Sequence, residues 1–214
     1  MRKLGAAAVA AFTLAMAQGA AAGSMSTTYA VTFDGSWSMA THPLEFPEGA
    51  HFSGLIGATH NDNYAIFVDG GKATEGLENL AEGGRHSPLD KEIKAALAAG
   101  SAGALIETGS IKPVPGKVAT TFEVDEEHSN VSIVAMIAPS PDWFVGVSAD
   151  LMENGHWVAE KTVTVFAWDA GTDVGTTYKA PDANSSEKIA GNSARHFRKD
   201  GKAVPVGTFT FVRQ

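Results

Sequence analysis

The chain predicts an all-β fold, an antiparallel β-sandwich with one or two short helices inserted between strands. Three observations carry that expectation. Several segments alternate apolar and polar residues with period two, two further segments are continuous apolar runs, and only one or two stretches carry a helical repeat. Tyr29-Val31-Phe33, Val118-Thr120-Phe122-Val124 and Val163-Val165-Ala167 each place one face toward a core. Tyr64 to Val68 and, apart from Ser132, Val131 to Ile137 are continuous apolar runs, the pattern of central strands covered on both sides. Thr208 to Arg213, with Phe209 and Phe211 on one face, supplies a closing strand.

One helix is expected where Ser87 caps, Pro88 takes the first helical position, Leu89, Ile93 and Leu97 recur at spacing four, and Gly100 stops the run. A shorter one holds Leu77, Leu80 and Ala81 and ends at Gly83-Gly84. Both fall in one excursion between strands and decorate the sandwich. Ala180 to Val206 is polar and reads as long loops or a weak hairpin.

Residues 1–22 read as a secretory signal, with Arg2 and Lys3 before an alanine-rich apolar stretch and small residues after it. That stretch falls short of the roughly 20 apolar residues a span requires, and no second candidate follows, so the mature protein is expected to be exported with no membrane span. Residues 26–214 then form a single domain. The chain has no cysteine, which excludes disulfides, thiolate metal sites and a cysteine nucleophile. Export without cysteine points to a bacterial envelope or medium, hence a secreted or periplasmic location. Without Arg2 and Lys3, 14 basic residues face 24 acidic ones, a net charge of −10 that disfavours a nucleic-acid partner.

Three carboxylates stand in loops beside strand-like sequence: Asp142 at the turn into Trp143-Phe144-Val145-Gly146-Val147, and Asp169 and Asp173 flanking Gly171. Were adjacent strands to bring the two loops to one end, the carboxylates would repel by up to ~4 kcal/mol per pair at 4 Å and an effective dielectric of 20. A hard cation is one answer, and calcium, with its 6–8 oxygen ligands, suits loops rich in Gly and Thr. Ordinary turn aspartates bonded to nearby amides are the other. Spacing alone leaves both open.

Other constellations are weaker. His42, His51 and His60 recur every nine residues, but no helical His pair exists and Pro43, Pro47 and Gly57 interrupt the geometry, so loop or packing roles are expected. Ser148 begins like a nucleophile elbow without its final glycine. Asp125-Glu126-Glu127 reads as a solvated hairpin turn, and Asn61-Asp62-Asn63 lacks the glycine and distal glutamate of an EF-hand. Trp143 and Trp168, at strand positions, are expected to pack beside the aspartate loops, and Trp157 is ambiguous. No catalytic residue is assigned, and the chain is not expected to be an enzyme.

Tyr29-Ala30-Val31-Thr32-Phe33-Asp34-Gly35-Ser36-Trp37, Thr41-His42-Pro43, His51 to His60, Pro139 to Val147 and Trp168 to Tyr178 follow one another in an order that resembles the spondin domain of the F-spondin and mindin family. The likeness runs from about Tyr29 to Pro181. It implies a C2-like antiparallel β-sandwich that binds calcium at one end, with Asp142, Asp169 and Asp173 at the matching ligand positions. It also implies an adhesion or recognition module acting on an extracellular protein or glycan surface. This chain departs from the animal pattern in lacking cysteines, thrombospondin repeats and a reelin-like region, so functions borne by those modules are not expected here. A metal-assisted hydrolase using the same carboxylates with His42 or His156, and a purely structural envelope protein, are the competing readings.

Overall fold

The computed structural model describes residues 25–214; the expected leader, residues 1–22, lies outside them. Two antiparallel sheets face each other. The first has the order β10-β15-β1-β5, built from β1 (Ser26–Gly35), β5 (Gly116–Asp125), β10 (Glu160–Val165) and β15 (Gly207–Arg213). The second runs β12-β11-β7-β6-β3-β4, comprising β3 (Ile56–His60), β4 (Ala102–Glu107), β6 (Asn130–Ala138), β7 (Trp143–Asp150), β11 (Ala167–Asp169) and β12 (Ala190–Gly191). The short β2 (His51–Phe52) also pairs with β6. Two small hairpins, β8 (Met152–Glu153) with β9 (His156–Trp157) and β13 (Arg198–Lys199) with β14 (Lys202–Ala203), stand apart from both sheets. The all-β expectation with short helices holds.

Period-two patterning does what it predicts in the first sheet. Tyr29, Val31 and Phe33 of β1 are fully buried while the residues between them are half-buried. Register places Phe33 opposite Phe209 and Val31 opposite Phe211, and the Phe33 and Phe209 rings stack at 4.5 Å. Each such side chain contributes about 1.5–3 kcal/mol of burial, which makes a slip by one residue prohibitive because it would turn the whole row to solvent.

The second sheet is buried on both faces, and its sequence shows it: β6 is buried at every position after Asn130. Its inner face meets the first sheet, whereas helices α1 (Glu75–Gly83) and α2 (Leu89–Ala98) cover the outer face with Leu77, Leu80, Leu89 and Ile93 against Val134 and Phe144. Thr74 caps α1 through its hydroxyl on the Leu77 amide, and Gly84 ends the helix at φ +65°, a conformation glycine adopts without strain.

Three local expectations need correction. Tyr64 to Val68 forms no strand; Ile66 and Phe67 are a loop that seals the helix-side core, so the apolar run reflects burial and not pairing. Strands β3 and β4 instead fill that part of the sheet. Ser87 makes no cap bond to α2, which begins after Pro88. Asp125-Glu126-Glu127 is no hairpin turn but the corner where the chain leaves the first sheet for the second, with Asp125 Oδ1 accepting the Glu127 and His128 amides at 3.0 and 2.9 Å. The polar stretch from Ala180 to Val206 is largely loop with the small β13–β14 hairpin, as expected.

Candidate functional site at the aspartate loops

Strands β7 and β11 are neighbours, with Asp169 in register with Trp143, so Asp142 and Asp169 stand at the same end of the second sheet. The Ala170 amide closes the junction on the Asp142 carbonyl at 3.2 Å. Adjacency of the two loops, on which the cation argument depends, is therefore real.

Asp142 is fully buried. Its Oδ2 accepts the backbone amides of Thr172 at 2.8 Å and Asp173 at 3.2 Å, whereas Oδ1, equally buried, has no hydrogen-bond partner. Burial, then the negative charge of Asp169, pushes the Asp142 carboxyl up to about 6, against the opposing pull of those two amides. Asp169 is raised as well, chiefly by burial, while its Oδ1 accepts the Gly171 amide at 3.0 Å. The Trp143 indole N–H, without a hydrogen-bond partner of its own, approaches this carboxylate and favours its charged form.

Asp173 is nearly as buried but better satisfied, with Oδ1 on the Gly175 amide at 2.5 Å and Oδ2 on the Ala183 amide at 2.7 Å. Among the described residues, no three acidic or histidine side chains converge into a three-ligand cluster, and Asp173 directs both its oxygens at backbone amides. Each carboxylate oxygen has a second lone pair, so an amide bond does not exhaust it.

The loop from Gly171 to Gly175 is held from outside by the segment 183–187: Val174 donates to Ala183, Ser185 to Thr172 at 2.7 Å, and Glu187 to Gly171 at 2.7 Å. Gly171 has φ +73°, and a Cβ there would lie 2.7 Å from the Glu187 carbonyl carbon, so only glycine permits this strap. Glu82, from the end of α1, lies within reach of the Thr172 side chain and lines a pocket of about 310 Å³ together with Ser140, Asp173, Asp182 and Arg85. Its Oε1 is buried and unpartnered, and burial raises its pKa, with Glu78, Asp182 and Asp173 adding to the effect. Sequence reasoning did not find Glu82: it lies about 60 residues from the nearest of the three aspartates, and nothing local marks it.

The remaining candidates lie elsewhere. His42 and His60 are buried at separate places, His51 bonds the Gly49 carbonyl, and His156 is exposed in the β8–β9 hairpin. Neither His42 nor His156 lines the pocket beside Asp173. Ser148 is exposed on the outer face of β7 and meets Ser132 at 3.3 Å, with His60 behind Ser132 at 2.8 Å and out of reach of Ser148. Trp143 is buried, as expected, and Trp168 and Trp157 are half-buried.

The Spondin_N family model matches residues 27–201. Spondin-2 of Rattus norvegicus is 33% identical over 201 residues, covering 86% of this chain and 61% of its own length. Spondin-2 of Homo sapiens is 37% identical over 190 residues, 86% of this chain and 56% of its own. Spondin-1 of Gallus gallus is 36% identical over 161 residues, 72% of this chain and 20% of its own. The chain thus spans between a fifth and three fifths of the length of these curated relatives. With the family model covering nearly all of the described residues, the chain belongs to the spondin N-terminal domain family.

Proposed function

We propose that this protein is an exported, calcium-ordered module that binds an extracellular protein or glycan, with Asp142 and Asp169 holding the ion and Asp173 joining them by turning from its amides. One observation carries the reading: Asp142 is a fully buried carboxylate whose Oδ1 has no partner, set beside a second partly buried carboxylate, Asp169. An unpaired buried charge costs several kcal/mol, and a bound cation offsets both the desolvation and the repulsion. Calcium would supply charge neutralisation and loop ordering, not bond-making chemistry. Family membership supports the extracellular setting, since the resemblance implies adhesion or recognition at cell or matrix surfaces.

What the chain itself does is position oxygen. The β7–β11 pairing sets Asp142 beside Asp169, the 183–187 strap fixes the loop that carries Asp173, and Glu82 adds negative potential from the helix side. The loops at this end then form the surface offered to a partner.

Calorimetry tests the ion assignment. Calcium should bind the mature protein with a dissociation constant on the order of 10⁻⁴ to 10⁻³ M, as in other extracellular modules, and magnesium should compete poorly. Unchanged calcium heat in the double variant Asp142→Ala/Asp169→Ala would sink the assignment. A screen of glycans and surface extracts, run with calcium and then with chelator, tests the binding role.

A further inference from the structure

The first sheet ends on β5, which is bonded to β1 along one edge and to no strand along the other. It runs for 10 residues in unbroken register with β1, so no bulge bends it away from solvent. The neighbouring edge strand of the second sheet, β4, pairs with β3 alone. An edge of this length is a template for a further strand, because each residue that points outward offers an unpaired N–H and C=O.

Alternation along the sheet identifies those residues. The Gln214 amide donates to the Thr28 carbonyl at 2.9 Å, so the even-numbered residues of β1 direct their backbone groups at β15 and the odd-numbered ones at β5. The register of Tyr29 with Phe122 and of Val31 with Thr120 then assigns the even residues of β5 to β1, and leaves Lys117, Ala119, Thr121 and Glu123 pointing outward. Among the described residues, no backbone group pairs with theirs on that side, and all of them are exposed. The alternate row faces the core, where Phe122 and Val124 are buried and Val118 is only partly covered.

The outward row reads Lys, Ala, Thr, Glu, an order that is complementary to itself when run antiparallel. About a two-fold axis at Thr120, Lys117 falls opposite the second copy's Glu123 and Ala119 opposite its Thr121, and symmetry repeats both pairs. Lys117 already meets Asp34 of β1 at 2.8 Å, so the outer face would carry Asp34, Lys117 and the second copy's Glu123 as a row of alternating charge. On the core-facing row the same register sets the half-covered Val118 against the second copy's Phe122. Shifting by two residues one way leaves Lys117 opposite Thr121. The other way sends it to Asp125, whose Oδ1 is already held by the Glu127 and His128 amides.

We propose that the protein self-associates through this edge, β5 of one copy pairing antiparallel with β5 of another about the axis at Thr120, so that the two first sheets become one. A contact of this kind is small, and the dimer is weak and reversible. It is separate from the aspartate loops, which belong to β7 and β11 of the second sheet, and it needs no calcium.

Sedimentation velocity of the mature protein in chelator, over about a hundredfold range of concentration, should show a monomer–dimer equilibrium. Ala119→Pro removes an outward N–H that β1 does not use, so the far-UV circular dichroism should be unchanged. Its dissociation constant should rise about tenfold or more, because symmetry deletes a hydrogen bond from each copy. Glu123→Lys should abolish the dimer by setting lysine against lysine, and mixing it with Lys117→Glu should restore a heterodimer. A protein that stays monomeric at every concentration overturns the proposal and leaves the edge to a strand of another protein. A dimer that survives both Ala119→Pro and Glu123→Lys overturns it equally, because another surface then holds the copies together.

Discussion

Asp142 accepts the Thr172 amide on Oδ2 at 2.8 Å, while its equally buried Oδ1 has no hydrogen-bond donor. Half of this carboxylate is a structural clamp on the neighbouring loop, and the other half lies beside the Asp169 carboxylate. Asp142→Asn separates the two roles. The side-chain oxygen can still accept from Thr172, while the introduced amide nitrogen can donate to Asp169. Without calcium at pH 7.5 the variant should be more stable by about 2–3 kcal/mol, because a carboxyl raised to about 6 is a charge the fold disfavours. Thermal melts in chelator should show this as a rise of roughly 5 °C. Added calcium should lift the wild-type melting temperature and leave that of the variant where it is.

Gly171 places a second test on the same loop. Alanine there must adopt φ near +73° and collide with the Glu187 carbonyl, so the strap from Glu187 to Gly171 has to open. Gly171→Ala should cost about 2–4 kcal/mol in urea unfolding, combining left-handed strain with a lost buried hydrogen bond. Its calcium affinity should fall as well, since Asp169 and Asp173 both flank the disturbed residue. A loss of stability with calcium affinity intact would show that the loop carries no ligand.

How much of this was legible beforehand depends on what kind of burial each segment meets. Strands β1, β6 and β15 were readable because Tyr29, Val31, Phe33, Phe209 and Phe211 bury one face, and Val131 to Ile137 bury two. The run from Tyr64 to Val68 carries the same apolar signal, yet it is a loop pressed under the helices; hydrophobicity reports burial and leaves the backbone state open. Strand β4, Ala-Gly-Ala-Leu-Ile-Glu, has little strand propensity of its own and is held by pairing with β3. At the aspartate loops, the two motifs did identify neighbours in space. Their hydrogen-bond partners were not readable, since Ala183, Ser185 and Glu187 act through backbone groups, to which sequence is nearly silent.

His60 supplies a pH dependence. It is buried between the Asn61 carbonyl and Ser132, each at 2.8 Å, and burial holds its pKa below the ordinary 6.5. The folded state therefore binds fewer protons than the unfolded state just below pH 6.5, so this contribution is complete above 6.5 and is lost as pH falls, by at most about 1.4 kcal/mol per pH unit. Asp142, whose folded pKa is raised, acts with the opposite sign between about 3.8 and 6. The difference between wild type and His60→Gln isolates the histidine. Urea midpoints from pH 7.5 to 5 should fall more steeply for wild type than for the variant, and parallel curves would show that the ring does not titrate in this range.

Glu82 extends the proposed ion site beyond the two recognisable motifs. It approaches Thr172 from α1, and Glu78, Asp182 and Asp173 repel it, so in the ion-free protein it adds to an already unfavourable concentration of negative charge. Glu82→Gln keeps the shape and removes the charge. Its ion-free melting temperature should rise. Its calcium affinity at low salt should drop by about threefold to tenfold, the size of a unit charge acting at several ångströms through a partly solvated medium. The drop should shrink as salt is added, because the contribution is electrostatic and the pocket is open to ions. A melting-temperature change with unaltered calcium affinity would assign Glu82 to helix packing alone and confine the ion site to Asp142, Asp169 and Asp173.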